Sequence, residues 1–293
     1  CLIDGSGSTD VKSGTSRSNG LPNSGLGGGI FIGGMDGVVR LRGLTVSDNT
    51  ANYGGGMYMH GPTTVVLSQI SLRQNRAHIN GGGISVDVDT GDVRIVREDG
   101  DNSGASAASV TATSISSNFA SICGGNLYVG KPTNSGSNWN GPNVIDVLRK
   151  RGTCPSLTIL NMKIDSGEAK EGGGICHATC ALHMIASSAV DNRASNGGGV
   201  YQRGYMTTMQ EGAEISGNVA LNNGGGLYLD GVHSYVEGLG TSKVSITKNH
   251  AGYSGGGIHI VSSLKEKRDK NDEETFEISK IGQSVTVPGS GDY

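Results

Sequence analysis

Apolar and polar residues alternate along this chain over only three to five positions at a time, and each short run stops at Gly, Asn or Ser. The run Leu227-Tyr228-Leu229 is typical, because three glycines precede it. Alternation of this length predicts short half-buried strands, since successive side chains of a strand point to opposite faces. The Ala/Leu/Glu-rich stretches of ten or more residues that helical repeats need are missing. The pattern therefore predicts an all-β protein.

A glycine-rich block recurs along the chain and precedes each apolar triplet. Its eight copies begin at Gly27, Gly54, Gly81, Gly124, Gly172, Gly197, Gly224 and Gly255. The base interval between copies is 25–27 residues, and two longer intervals of 43 and 48 residues indicate inserted loops. Repetition at such a period is the sequence signature of solenoid proteins.

A second motif, Asn-x-Ala, lies five or six residues before each glycine block after the first. Its asparagines are Asn49, Asn75, Asn118, Asn192, Asn218 and Asn249. One copy is degenerate, with Gly167 in the Asn place and Ala169 retained. We expect these asparagines to form a ladder in which each side-chain amide pairs with that of the next repeat, as in other stacked in-register strands. The Ala two residues later is small, as a tight corner requires.

Three short strands in about 26 residues fit one coil of a parallel β-helix, whose coils stack at roughly 4.8 Å. Propeller blades need four strands and a period of about 40 residues, and the L-x-x-L-x-L consensus of leucine-rich repeats is missing. We therefore predict a single-domain right-handed parallel β-helix over residues 1–293, with nine or ten coils. Its parts are the repeats at about 27–260, inserted loops at 89–107 and 131–153, a charged segment at 264–280 and a candidate C-terminal cap at 281–293.

Two features are expected to hold the coils together. The first apolar residue of each triplet should point inward and stack on its equivalents, which are Ile30, Met57, Ile84, Leu127, Ile175, Val200, Leu227 and Ile258. The second glycine of each block should occupy a turn that needs positive φ or close backbone contact, where a Cβ would clash. These glycines are Gly55, Gly82, Gly125, Gly173, Gly198, Gly225 and Gly256.

The repeat resembles that of the chlamydial polymorphic outer-membrane proteins, which carry F-x-x-N and G-G-A-[ILV] motifs. Here the Phe place holds mainly Val, Leu or Ile, as in Val46-x-x-Asn49, and the Ala place holds Gly in every copy except Asn126. The resemblance covers roughly residues 27–260. It implies a right-handed parallel β-helix displayed outside the cell, with adhesive or structural duties and no catalytic residues to transfer.

Composition and charge narrow the functional classes. The 51 glycines do not follow an every-third-residue period and proline is scarce, which excludes collagen. A net charge of −3 favours neither nucleic acid nor an anionic membrane as a partner. No apolar run approaches the roughly 18 residues of a membrane span. Because the chain starts at Cys1 without an initiator Met, we expect a mature product or a fragment of a longer chain.

The cysteines allow several arrangements. Cys123 and Cys154 bracket the second insertion, so a disulfide between them would tie the two feet of that loop. Cys176 and Cys180 could form a local disulfide, remain free thiols, or bind zinc together with His183. Disulfides would place the protein in an oxidising, extracellular setting.

Catalysis is the main alternative, because many right-handed β-helices degrade polysaccharides. Asp87 and Asp89 share one strand face and are the candidate acids, although the motifs of polygalacturonase-like enzymes are missing. The neighbouring acidic residues Asp92, Glu98, Asp99 and Asp101 could bind Ca²⁺, but a solvated loop is the simpler interpretation. Trp139, the only tryptophan, marks the second insertion as a candidate ligand loop or pins that loop to the rod.

These observations favour a non-enzymatic extracellular module with structural or adhesive duties, without a cofactor or a metal. The expected partners are further copies of the chain in a surface fibre or filament, neighbouring domains of a longer chain, and a cell-surface or polysaccharide ligand. The alternative is a polysaccharide lyase or hydrolase.

Overall fold

The structure, a computed structural model, describes residues 2–12, 25–33, 37–60, 63–87, 93–97, 113–130, 156–178, 181–203, 206–230, 235–239 and 243–261. In these ranges the chain is all-β, and every pairing between strands is parallel. The strands stack as a right-handed parallel β-helix, so the predicted fold class is confirmed. The predicted insertion at 131–153, the charged segment at 264–280 and the candidate cap at 281–293 lie outside the described residues.

Each coil presents four faces, which we number in chain order. The strands of the first face are Leu2–Lys12, Gly37–Ser47, Thr63–Ser68, Val93–Arg97, Ser156–Leu160, Ala181–Ile185, Met206–Gln210 and Tyr235–Leu239. The second face begins at the C-terminal parts of Leu2–Lys12 and Gly37–Ser47 and continues with Ser71–Arg73, Ser114–Ser116, Lys163–Asp165, Ser188–Val190, Glu214–Ser216 and Ser245–Thr247. Because the long strand Gly37–Ser47 pairs on both faces, these two faces form one 14-stranded sheet.

The third and fourth faces complete each coil. The strands of the third face are Thr50–Tyr53, Arg76–Asn80, Phe119–Ala120, Arg193–Asn196, Val219–Asn223 and His250–Ala251. The strands of the fourth face are Ile30–Ile32, Met57–His60, Ile84–Asp87, Leu127–Val129, Ile175–His177, Val200–Gln202, Leu227–Asp230 and Ile258–Val261. Eight strands on the fourth face correspond to eight coils in the described residues, whereas nine or ten were expected from the whole length.

The core consists of columns of aliphatic side chains, one from each coil. The predicted column from Ile30 to Ile258 is in register from strand to strand on the fourth face. Its six middle members are fully buried, and a second buried column from Val39 through Met209 lies on the first face. Each buried aliphatic side chain contributes roughly 1.5–3 kcal/mol. The predicted aliphatic stack is thus confirmed.

The tight corner expected at the Ala of Asn-x-Ala lies three residues earlier, directly before the asparagine. The Ala of Asn-x-Ala lies inside a strand of the third face, as Ala51 and Ala77 show, and not in a turn. The turn is made by the residue before the Asn, which has positive φ in each of the seven coils from Asp48 to Lys248. Six of these seven residues are not glycine and their identities vary among the coils, so no single residue type marked the turn in the sequence. The third face adds a fourth strand to coils that were predicted to have three.

Each of the three positions of a glycine block requires glycine for a different physical reason, as the block at Gly224 illustrates. Gly224 has φ +65°, the left-handed region that side chains avoid. A Cβ on Gly225 would overlap the carbonyl oxygens of His250 and Gly256 in the next coil. A Cβ on Gly226 would lie 2.7 Å from the Asn249 Nδ2, so this glycine leaves room for the asparagine side chain.

The predicted insertion at 89–107 is partly wrong, because Val93–Arg97 is a regular strand of the first face. Val93 and Ile95 are fully buried while Arg94 between them is exposed, which is the alternation of a half-buried strand. Acidic residues on both sides concealed this strand in the sequence. Most of the extra length of this repeat therefore lies between Arg97 and Ser114, and a smaller part lies between Asp87 and Val93.

The contacts of the second glycine predict a strong position dependence. Gly225→Ala should lower the free energy of unfolding by about 3 kcal/mol, because backbone of the next coil must move to admit the methyl group. Gly256 is the matched control, since a Cβ there would meet nothing closer than the Asn249 carbonyl oxygen at 3.2 Å. Urea unfolding followed by circular dichroism measures both variants. Equal losses for the two alanine variants would contradict this account of the block.

Candidate functional site

The asparagines of the repeats form a continuous ladder along the rod axis. The Nδ2 of Asn49 donates to the Oδ1 of Asn75 at 3.0 Å, and Asn75 donates in the same way to Asn118 at 3.0 Å. At the other end, Asn192 donates to Asn218 at 3.0 Å, and Asn218 donates to Asn249 at 2.9 Å. Stacking in register at the coil spacing brings each amide within reach of the next.

Each buried amide of the ladder makes further bonds to the backbone. The Oδ1 of Asn218 also accepts the backbone N–H of Asn192 at 2.9 Å, and its Nδ2 donates to the Ala189 carbonyl oxygen at 2.9 Å. The same two additional bonds occur at Asn75 and Asn118. Buried polar groups are costly when they are left without partners. The ladder therefore satisfies its own side chains and part of the backbone at every corner.

The ladder passes through the degenerate fifth coil by an exchange of residues. Gly167 has no side chain to contribute, and Asn126 from the glycine block of the preceding coil fills the gap. The Nδ2 of Asn118 donates to the Oδ1 of Asn126 at 2.8 Å, and the Nδ2 of Asn126 donates to the Oδ1 of Asn192 at 3.2 Å. The backbone N–H of Gly167 donates to the same Asn192 Oδ1 at 2.8 Å.

This exchange explains two deviations from the repeat together, namely the Gly at position 167 and the Asn at position 126. A Cβ on Gly167 would lie 2.5 Å from the Asn126 Nδ2, so an Asn at either position requires a Gly at the other. The signal was present in the sequence, because the only non-glycine in the third place of a block directly precedes the only repeat without its Asn. Recognising it needed the knowledge that the third glycine contacts the asparagine of the next coil.

The exchange predicts coupled effects on stability. Asn126→Gly should cost about 1–3 kcal/mol, because buried donors and acceptors of Asn118 and Asn192 lose a partner. Gly167→Asn should also destabilise, since its side chain would collide with Asn126 and with the Gly173 carbonyl oxygen.

The double variant Asn126→Gly with Gly167→Asn restores the repeat consensus. Its loss in free energy of unfolding should be smaller than the sum of the two single losses, by at least about 1 kcal/mol. Denaturant unfolding of the four proteins in a double-mutant cycle measures this coupling. Strict additivity of the two substitutions would show that the two positions do not share one rung.

The disulfide of the described residues joins Cys123 to Cys176, with 5.6 Å between their Cα atoms. Both predicted pairings are therefore wrong for these two cysteines, and Cys154 and Cys180 lie outside the described residues. Cys123 directly precedes the Gly124 turn of one coil, and Cys176 lies on the fourth face of the next. Residues that contact each other between coils of a solenoid are separated by a whole repeat in the sequence. Proximity in the sequence therefore did not predict which cysteines pair.

This disulfide closes a loop of 53 residues that contains the second insertion. By the loop-entropy account a loop of this length stabilises the folded state by about 4 kcal/mol. The bond also removes the zinc interpretation of Cys176, because a disulfide sulfur offers no thiolate ligand. His183, the third proposed ligand, instead places its Nδ1 2.6 Å from the Thr208 Oγ1.

The outward side of the fourth face carries a column of aromatic residues. The second residue of each strand lies in this column, which runs Phe31, Tyr58, Ser85, Tyr128, Cys176, Tyr201, Tyr228, His259. The rings of Tyr201 and Tyr228 are nearly parallel, with centroids 4.9 Å apart, and His259 continues the stack at 5.1 Å. Stacking covers ring faces within this column, and Tyr58, Tyr128 and Tyr201 are buried.

At one end of this column, Asp87 is held by residues of the preceding coil. Its Oδ2 accepts the hydroxyl of Tyr58 at 3.2 Å and lies 3.1 Å from the Nδ1 of His60. Burial raises the pKa of Tyr58, and the charge and hydrogen bond of Asp87 raise that pKa further. Tyr58 therefore remains a donor at neutral pH. Asp89, the second candidate acid, lies outside the described residues.

Arg203 organises a second polar group that spans three coils. Its Nη2 lies 3.4 Å from the Glu171 Oε2, and its Nε lies 3.7 Å from the Asp230 Oδ2. Asp230 also accepts the Tyr201 hydroxyl at 3.0 Å. One guanidinium thus pairs with two carboxylates. This arrangement is typical of a structural ion-pair network, whereas glycoside hydrolysis needs two carboxylates that act independently on either side of a bond.

Within the described residues, a polar group interrupts the aliphatic core in the fifth to seventh coils. His177 and Gln202 are fully buried and in register on the inner side of the fourth face, where the other members of the column are aliphatic. The Thr207 hydroxyl donates to the Gln202 Oε1. Burial lowers the pKa of His177 to about 4, although a hydrogen bond with Gln202 opposes this effect.

The lowered pKa of His177 predicts a loss of stability in acid. An unfolded chain binds a proton at this residue below about pH 6.5, while the folded protein binds it only near pH 4. The contribution of His177 is therefore fully present above pH 6.5 and is lost as the pH falls towards 4, by up to about 3 kcal/mol.

The free energy of unfolding, measured from pH 7 to pH 4, should fall less steeply in His177→Val than in the wild type. Val is the residue at the equivalent inner position of the preceding coil, Val129. His78→Gln is the control, because His78 is exposed. Parallel pH curves for wild type and His177→Val would contradict the prediction.

The remaining candidate positions add no further site in the described part of the chain. Asp92, Glu98, Asp99, Asp101 and Trp139 all lie outside it. Within it, no group of three or more His, Cys, Asp or Glu residues is arranged to hold a metal ion. The described residues also contain no helix long and apolar enough to cross a membrane.

Comparison with known proteins adds no relative to this description. No protein-family model, curated protein or solved structure matches the chain.

Proposed function

We propose that the protein is a non-enzymatic, extracellular β-helix module that serves as a rigid structural or adhesive element. The observation that carries this proposal is the asparagine ladder from Asn49 to Asn249, which continues across the degenerate coil by way of Asn126. Residues conserved from coil to coil within this chain are those that build the rod. A rigid solenoid of this kind is suited to act as a spacer between two attached structures or to display a binding surface.

The disulfide supports an extracellular location. Disulfides persist in oxidising compartments and are rare in the cytosol. Cys123–Cys176 ties together two coils whose connecting segment contains the second insertion. The expected partners are further copies in a fibre or filament, neighbouring domains of a longer chain, or a cell-surface polysaccharide.

A polysaccharide lyase or hydrolase is the second candidate function. Asp87 and Asp230 favour it, because both occupy the last position of a fourth-face strand, where a linear glycan could run parallel to the axis. Their engagement by Tyr58, His60 and Arg203 makes it the weaker proposal.

Incubation with a panel of neutral and uronic-acid polysaccharides separates the two functions. We expect no release of reducing ends or unsaturated products, because the described carboxylates are held by neighbouring donors. Turnover that is lost in Asp87→Asn or Asp230→Asn would establish the enzyme instead. Asp165→Asn is the control, since Asp165 pairs with Lys163 on another face.

A further inference from the structure

The outer side of the second face carries two columns of side chains that flank the buried central residue of each strand. In the column before the central residue, five of eight positions hold a hydroxyl side chain, namely Thr45, Ser71, Ser114, Ser188 and Ser245. All five are in register with their neighbours and half-buried. The result is a row of hydroxyl groups along the rod that is interrupted at Lys163 and Glu214.

The column after the central residue continues this surface. Ser116, Ser216 and Thr247 add half-buried hydroxyl groups in three coils. The charged residues of the two columns are Asp10, Lys12, Arg73, Lys163, Asp165 and Glu214, which carry three positive and three negative charges. Lys163 and Asp165 also neutralise each other locally at 2.6 Å. The face therefore has no net charge, which gives neither polyanions nor polycations an electrostatic advantage.

The coils impose a regular spacing on these hydroxyl groups. Neighbours along the axis are separated by one coil, about 4.8 Å, and neighbours across the strand by two residues, about 6.6 Å. Short Ser and Thr side chains lose little rotamer freedom when they are held in place. A rigid, neutral array of this kind suits a partner that presents its own regular array of uncharged hydrogen-bonding groups.

We propose that the second face is a docking surface for an ordered, neutral polysaccharide. This proposal rests on the adhesive function proposed above and names its ligand class. Charge complementarity supports it, because the face is neutral and its groups both donate and accept hydrogen bonds, as sugar hydroxyls do. Each hydrogen bond is weak, but coils that engage together convert weak contacts into strong attachment.

Co-sedimentation with microcrystalline cellulose and with chitin powder tests the proposal, and alginate beads provide an anionic comparison. We expect the wild type to bind one or both neutral polymers and to leave alginate unbound. Ser71→Arg with Ser245→Arg should reduce the bound fraction at least about tenfold, because bulky charged side chains break the array at two coils that engage the same polymer. His78→Arg with Ser121→Arg is the matched control, since it adds similar side chains to exposed positions of the third face.

Three outcomes would overturn the docking surface, given folded variants by circular dichroism. These are no binding to either neutral polymer, equal loss in the two double variants, or sedimentation of the protein without polymer, which would make a second copy the occupant of the face. The supernatants of the same incubations are assayed for released sugars. Lost binding without released sugars removes only this inference, whereas released sugars would contradict the proposed function itself.

Discussion

Register between stacked coils is the constraint on which the rest of the structure depends. Every residue in a β-helix lies above its equivalent in the coil below, so each side chain must tolerate a near copy of itself at the strand spacing. Aliphatic residues satisfy this requirement by packing, and asparagine satisfies it because one amide carries both a donor and an acceptor. The column from Asn49 to Asn249 repeats a polar residue through the buried corner without leaving its amides unpaired.

The glycine blocks follow from the same constraint. Close stacking at the corner leaves no room for a Cβ at the second glycine, as the carbonyl oxygens around Gly225 show. The third glycine makes space for the asparagine of the next coil, and Asn126 is tolerated only because Gly167 has vacated that space. The glycines that would loosen an isolated chain are therefore required by the packed one, and stacked neighbours supply the rigidity that they lack.

Register also organises the surface, where it produces chemically uniform columns. The aromatic side chains on the fourth face stack on one another and donate hydrogen bonds to Asp87 and Asp230, so they contribute to the fold itself. The hydroxyl columns on the second face have no comparable use inside the fold. Features that stabilise the rod and features that remain for a partner thus lie on different faces, which is why the second face carries the inference about a ligand.

Periodicity alone was sufficient to predict the all-β class, the parallel stacking, the buried aliphatic column and the identity of the asparagine anchors. These properties are local and recur in every repeat, so the pattern common to the eight repeats stands out although individual repeats differ. Positions that differ between copies escaped prediction. The left-handed corners hold unlike residues such as Gln74 and Lys248, and the strand Val93–Arg97 is hidden among acidic neighbours.

What the sequence by itself determined was the repeating unit, because each coil makes the same contacts with the next. Only the tertiary structure decided the relations between particular coils. It placed Asn126 in the rung that Gly167 leaves empty, and it joined Cys123 to Cys176 across one coil. Both relations join residues that are about 40 to 50 positions apart in the sequence. Stacking places such residues in neighbouring coils whatever the length of the chain between them, so their separation in the sequence does not reveal the contact.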